Sequence, residues 1–134
     1  MNKKILFLQI GFWAGAIFDA IMVPLFLFPK LASFILGIDN SNPDITTRYI
    51  MNVGAALMAG WTVLLIWAAL KPIERKGIVL LTLFPLAGII GSGISLYISN
   101  GIQLDKILPI WIGQGILFII YCFNYFNTKS IKYN

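Results

Sequence analysis

The sequence predicts an all-α integral membrane protein, a four-transmembrane-helix bundle that forms one domain over residues 1–134. Hydrophobic residues make up 59% of the chain and charged residues 11%, whereas soluble domains carry about 25% charged residues. The charges lie between four apolar stretches, each long enough to cross about 30 Å of hydrocarbon as a helix of about 20 residues. Because a helix pairs its backbone polar groups internally, we expect spans at about 5–28, 43–70, 78–98 and 107–126.

A short helix is expected between the first and second spans. Apolar residues recur at helical spacing at Leu31, Phe34, Ile35 and Ile38, and a helix of this kind is typical of the membrane interface. The sequence therefore predicts a short helix from Leu31 to Ile38, an interfacial helix or one that caps the mouth of the bundle.

Helix-breaking and capping residues set the predicted ends of the spans. Pro29 ends the first span and Lys71-Pro72 ends the second, because proline cannot continue a helix. Asn42 is expected to cap the second span, with Pro43 at its first position, and Asn100-Gly101 to end the third. Short connections make successive helices antiparallel, so the predicted order is up-down-up-down.

The basic residues indicate the orientation of the bundle. On one side of such a layout lie Lys3, Lys4, Lys71, Arg75, Lys76, Lys129 and Lys132, and on the other lie Lys30, Arg48 and Lys106. The side richer in basic residues is normally cytoplasmic. We therefore predict a multi-pass protein of the cell membrane with both termini in the cytoplasm.

The first span carries the one ionisable residue within it, Asp19, on a face of small residues. Gly11, Gly15 and Asp19 follow each other at four-residue spacing, and small residues in such a pattern let another helix approach closely. Asp19 is therefore expected to face the bundle and not the lipid. Either it belongs to a functional site, as intramembrane acids often do, or it is a structural residue that hydrogen-bonds across the helix contact.

Polar residues on other spans lie at depths compatible with Asp19. Asn52 and Arg48 share one face of the second span, and Gln114 and Trp111 share one face of the fourth. We therefore predict a polar, outward-facing pocket in which Asp19, Arg48, Asn52, Gln114 and Trp111 bind a ligand.

The composition disfavours several other classes of function. The chain has no histidine and one cysteine, Cys122, so it lacks the commonest metal ligand and cannot form an intrachain disulfide. No phosphate-binding loop or pair of carboxylates within one helix is present. We predict no catalytic residues, no metal site, no cofactor and no nucleic-acid partner, and a role that is more in keeping with a non-enzyme.

One stretch of the chain carries a family resemblance. Its residues are Arg48, Ala55 to Met58, Trp61 to Leu65, Trp67-Ala68, Pro72, Glu74 to Gly77, Leu80 to Thr82 and Pro85. This pattern resembles small bacterial four-helix integral membrane proteins of uncharacterised function, over about a third of the chain. The resemblance implies a bacterial inner-membrane protein with the topology given above, and it implies nothing about activity.

Three functions remain open from the sequence. The first is binding or transport of a small or lipid-like ligand near Asp19. The second is an accessory subunit of a larger membrane complex, or a homo-oligomer, bound through the Gly11-Gly15 face or through the stripe of Gly88, Ser92, Ser95 and Ser99. The third is a lipid-modifying enzyme. Membrane lipids are expected partners in each case.

Overall fold

The computed structural model describes residues 3–36, 42–99 and 104–128, and these residues form helices without any strand. The helices are α1 (Lys3–Leu27), α2 (Pro29–Leu36), α3 (Ile45–Leu70), α4 (Gly77–Ile98) and α5 (Leu104–Thr128). Four of them, α1, α3, α4 and α5, are long and apolar enough to cross a membrane. The predicted all-α class with four candidate spans is therefore confirmed.

The short helix between α1 and α3 begins earlier than predicted. Pro29 does not merely end the first span but starts α2, and Phe28 alone separates the two helices. The fixed φ angle of proline suits the first position of a helix, which explains this start. The backbone N–H of Leu31 donates to the Phe28 carbonyl over 2.9 Å. Ile38, the predicted end of this helix, lies outside the described residues.

The start of α3 corrects the predicted cap. Asp44, and not Asn42, is the N-cap, with φ −62° and ψ 167°, and its side chain accepts a 3.1 Å hydrogen bond from the Thr47 backbone N–H. The helix consequently begins at Ile45, two residues after the predicted start. Its end agrees with the prediction, because α3 stops at Leu70 immediately before Lys71-Pro72.

The turn between α3 and α4 holds the ends of two helices. The Arg75 guanidinium donates to the Trp67 carbonyl and stacks 3.5 Å over the centre of the Trp67 ring. The Lys76 ammonium donates to the Thr128 carbonyl at the end of α5 over 3.2 Å. Cations at helix C-termini satisfy the last carbonyls and favour the helix dipole, so this turn stabilises both α3 and α5.

The first helix is the centre of the packing. It lies against α3 and α5, while α4 packs on α5, and the backbones of α3 and α4 hardly approach each other. The core between the helices is made of apolar side chains and Tyr121; its largest fully buried members are Leu8, Phe12, Leu65, Val79 and Tyr121.

The outside of the bundle is apolar. Large side chains such as Ile45, Phe84 and Phe126 are 90%, 72% and 72% exposed. Soluble proteins rarely expose extended apolar surface of this kind, whereas lipid tails accept it. The surface therefore agrees with a multi-pass membrane protein.

Candidate functional site

The bundle encloses a cavity of about 350 Å³ between its four long helices. The lining begins at Gly15 on α1 and extends to Phe26, and on α5 it runs from Gln114 to Tyr121. These stretches lie near the middle of α5 and in the second half of α1. The cavity is thus inside the apolar layer that the helices span.

Two glycine contacts set the height of Asp19 relative to α5. The Tyr121 hydroxyl packs so closely on Gly15 that a methyl group there would overlap it, and a Cβ atom on Gly113 would lie 3.0 Å from the Phe18 ring. Asp19 is next to Phe18 and one helical turn beyond Gly15. It therefore lies level with the segment of α5 that runs from Gly113 to Tyr121.

Two polar side chains of α5 reach the cavity without a hydrogen-bond partner among the described residues. Gln114 is 5% exposed and Tyr121 is 1% exposed, and both line the cavity. The Gln114 Oε1 atom and the Tyr121 hydroxyl are fully enclosed and make no hydrogen bond to the described residues. A buried polar group without a partner costs about 1–3 kcal/mol, so the burial of these two atoms is unfavourable in this arrangement of the helices.

Asp19 adds a carboxyl group to the same wall. Its side chain is partly buried and lines the cavity. Within the described residues, no hydrogen bond or ion pair involves it, and the ion pair that the structure shows there, Lys71 with Glu74, belongs to the turn after α3. The expectation that Asp19 hydrogen-bonds across the helix contact is therefore not met by the described residues.

A further polar pair in the wall is satisfied. The Trp61 indole N–H donates to the Thr82 hydroxyl over 3.3 Å, and that hydroxyl donates to the Ile78 carbonyl over 2.8 Å. This pair joins α3 to α4 and leaves no unused donor on the Thr82 hydroxyl. It closes the wall between the two helices on the side of their connecting turn.

Beyond that pair, the wall between α3 and α4 is thin. Leu57 of α3 and Ile89 of α4 line the cavity, yet they are 69% and 38% exposed. The same side chains thus border the cavity and the outside of the bundle. We call this part of the wall the α3–α4 slit.

The structure brings together two of the five residues predicted to bind a ligand. Asp19 and Gln114 line the cavity. Arg48 is exposed and lines a second cavity of about 280 Å³ near the end of α1. Asn52 is exposed and lines neither cavity. Trp111 packs on Gly93 and meets the Tyr97 ring edge-on, with 6.0 Å between centroids.

Three lining residues that carry hydrogen-bonding groups, Tyr121, Trp61 and Thr82, were not predicted as site residues. Tyr121 lies seven residues after Gln114, so helical spacing alone places both on one face of α5. Trp61 and Thr82 carry no such signal, because their pairing depends on how α3 meets α4. Only the spacing on α5 offered a way to extend the predicted site.

The wall can bind polar groups, but it lacks the usual features of a metal centre. Within residues 3–36, 42–99 and 104–128, no three His, Cys, Asp or Glu side chains come together to hold a metal ion. The side chains that line the cavity include a carboxyl, an amide and a phenol in an otherwise mostly apolar wall. Such a combination suits an amphipathic molecule.

Comparisons with protein-family models, with curated proteins and with solved structures find no match for this chain. The resemblance of the Arg48 to Pro85 segment to small bacterial membrane proteins therefore stays a prediction. Any statement about function rests on the cavity itself.

Proposed function

We propose that this chain is a small integral membrane protein of the bacterial inner membrane that binds or transports a small or lipid-like ligand inside its helix bundle. The observation that carries the proposal is a cavity whose lining includes the polar side chains of Gln114 and Tyr121, neither of which makes a hydrogen bond to the described residues. Asp19 lines the same cavity. A ligand that hydrogen-bonds to these groups would offset the cost of burying them.

The size and chemistry of the cavity support a ligand with an apolar body. Ligand sites commonly occupy about 300–1,000 Å³ and combine apolar walls with a few polar groups. The volume of about 350 Å³ is at the lower end of that range. A molecule with a short apolar body and one polar head therefore fits better than a full phospholipid.

The proposed orientation of the bundle is up-down-up-down, with both termini in the cytoplasm and Asp19 in the outer half of the membrane. Two contacts support the order of the helices. The Phe7 and Phe123 rings, near the start of α1 and the end of α5, lie 5.1 Å apart. Lys76, in the turn after α3, bonds to the end of α5.

We also propose that α2 lies in the membrane–water interface on the outward-facing side of the bilayer. Its Phe34 is 87% exposed and its Lys30 is exposed too, a combination that suits a helix with one side in lipid and a charge at the head groups. Lys30 and Arg48 both line the second cavity. An anionic group, such as a lipid head group, is the ligand that these two cations would attract there.

Native mass spectrometry tests the proposal directly. Wild-type protein released from mild detergent is expected to carry a discrete bound mass. Leu86→Trp places a larger side chain in the cavity wall and is expected to remove that mass, whereas Phe84→Trp, on the outside of the same helix, is expected to keep it. Thermal unfolding of each variant shows whether the fold is retained.

The proposal would be overturned by a bound mass that persists unchanged in a folded Leu86→Trp variant. Retention of the mass after combined replacement of Asp19, Gln114 and Tyr121 would overturn it equally. A wild-type protein that carries no bound mass and binds no added amphipathic probe would also refute it.

A second candidate function, an accessory subunit or a homo-oligomer, is favoured by the surface of α4. Gly88, Ser92 and Ser95 are exposed, and no side chain lies within 4 Å of a Cβ atom built on Gly88. Small residues on a lipid-facing surface allow close approach of another helix. The Gly11-Gly15 face is less suited to this role, because it is already packed against α5.

The oligomeric state of the protein and the presence of a bound partner distinguish this second candidate from ligand binding. A stoichiometric partner or a dimer in mild detergent, lost on Gly88→Leu and kept on Gly60→Leu, would support it. A monomer without a partner, in wild type as well as in both variants, would contradict it.

A further inference from the structure

The strongest polar group of the cavity is a hydrogen-bond acceptor. The Asp19 carboxylate has two acceptor oxygens, whereas the Oε1 atom of Gln114 is fully enclosed and the nitrogen of that amide is a donor. The Tyr121 hydroxyl either accepts or donates. The Thr82 hydroxyl already donates to a backbone carbonyl. A ligand that fits this wall must therefore bring donors.

The charge of the cavity is also one-sided. No Lys or Arg is found among its described lining residues, and Asp19 forms no ion pair within the part of the chain that the structure describes. A charge removed from water is stable only when an opposite charge or several hydrogen bonds compensate it. A cationic donor supplies both, and an anion or a ligand with acceptors alone supplies neither.

The remainder of the wall indicates that this cation is lipophilic. The lining is mostly apolar, with the aromatic side chains Phe18, Phe26 and Trp61 among it. Aromatic faces attract cations and pack against apolar groups. The α3–α4 slit, with the exposed side chains of Leu57 and Ile89, borders the lipid and not the aqueous end of the bundle. A ligand that enters there must first dissolve in the bilayer.

We propose that the cavity binds a lipophilic amine in its ammonium form, with the ammonium hydrogen-bonded to the Asp19 carboxylate and with the apolar body among Phe18, Phe26 and Trp61. This inference rests on the proposed function, because it names the class of ligand for the same cavity. A primary ammonium has three donors and no acceptor. It therefore matches the Asp19 carboxylate better than an alcohol, which brings one donor and no charge.

Calorimetric titration with three probes of equal chain length tests the ligand class. The probes are phenylbutylamine, phenylbutanol and phenylbutyric acid, added to purified protein in mild detergent. The amine is expected to bind wild type most tightly. Asp19→Asn is expected to weaken amine binding about tenfold or more, since a charge-assisted hydrogen bond is lost, and to change alcohol binding far less. Asp105→Asn removes an exposed acid at the start of α5 and is the matched control.

The outcomes distinguish a wrong ligand class from the absence of a ligand-binding cavity. An alcohol or acid that binds as tightly as the amine, with binding lost in Leu86→Trp, would refute the amine and leave a ligand-binding cavity. Equal amine affinity for wild type and a folded Asp19→Asn variant would also refute the amine. If no probe distinguishes wild type from a folded Leu86→Trp variant, the proposed function fails as well.

Discussion

Gly15→Ala is the substitution whose effect follows most directly from the helix packing. A Cβ atom at this position would overlap the Tyr121 hydroxyl and would lie 3.1 Å from both Leu65 Cδ1 and Tyr121 Cζ. Leu65 and Tyr121 are 0% and 1% exposed, so neither side chain moves without disturbing the core. The added methyl group therefore forces α1 and α5 apart or pushes the Tyr121 ring toward the cavity.

The expected loss of stability is the difference between two effects. Overpacking a close-packed site costs about 1–3 kcal/mol, while alanine is favoured over glycine inside a helix by about 1 kcal/mol. We expect Gly15→Ala to lower the free energy of unfolding by up to about 2 kcal/mol. Gly60→Ala is the matched control, because no side-chain atom lies within 4 Å of a Cβ atom there; it is expected to be neutral or slightly stabilising.

Reversible unfolding in mixed micelles, followed by circular dichroism, measures both variants. The Tyr121→Phe background removes the oxygen atom that meets the new methyl group, so the loss caused by Gly15→Ala should shrink there. Tyr121→Phe alone should cost little, because the hydroxyl has no partner among the described residues. Equal stability of Gly15→Ala and Gly60→Ala, or an undiminished loss in the Tyr121→Phe background, would refute the packing described for α1 and α5.

Three further predictions concern single polar groups. Hydrogen bonding from Thr47, through its side chain and its backbone, lowers the pKa of Asp44 below its usual 3.8. The resulting stabilisation is complete above pH 3.8 and is lost as the pH falls through the lowered pKa. The melting temperatures of wild type and Asp44→Asn should therefore converge as the pH falls through that window, and a difference that stays constant would contradict the cap. Asn124 is 1% exposed and both its amide atoms lack a partner among the described residues. Asn124→Leu should therefore unfold at the same temperature as wild type or higher. A drop in unfolding temperature larger than that of the exposed-site control Asn52→Leu would show that the amide is hydrogen-bonded. Asp19→Leu should not lower the thermal stability of ligand-free protein, because no described residue pairs with the carboxylate; a marked loss would restore Asp19 as a structural residue.

The four spans could be predicted because length, apolar content and the exclusion of charge are properties of each segment alone. The predicted site depended in addition on the rotation of each helix about its axis. Asn52 shares α3 with Met58 and Trp61, which line the cavity, yet Asn52 itself points out of the bundle. Since α3 is apolar on every side, the sequence pattern does not reveal which face meets α1.

The first and last spans were easier to orient because they carry stronger local signals. Gly11 and Gly15 mark the face of α1 that contacts α5, and Asp19 follows on the same face, as small-residue spacing predicts. The cap of α3 was placed wrongly because Asn42 and Asp44 are both good capping residues. Only the hydrogen bond between Asp44 and Thr47 distinguishes them.

The most direct test of a lipid-accessible cavity at Asp19 is chemical labelling of that carboxyl in membranes. A lipid-soluble carbodiimide is expected to modify Asp19 in wild type, as located by peptide mass mapping. N,N-dimethyl-4-phenylbutylamine is expected to protect it, because this tertiary amine binds as an ammonium but cannot form an amide with the activated carboxyl. Exposed acids such as Asp44 and Asp105 should react with a water-soluble carbodiimide and gain no protection from the amine. Failure of the lipid-soluble reagent to modify Asp19, or equal labelling with and without the amine, would contradict the account.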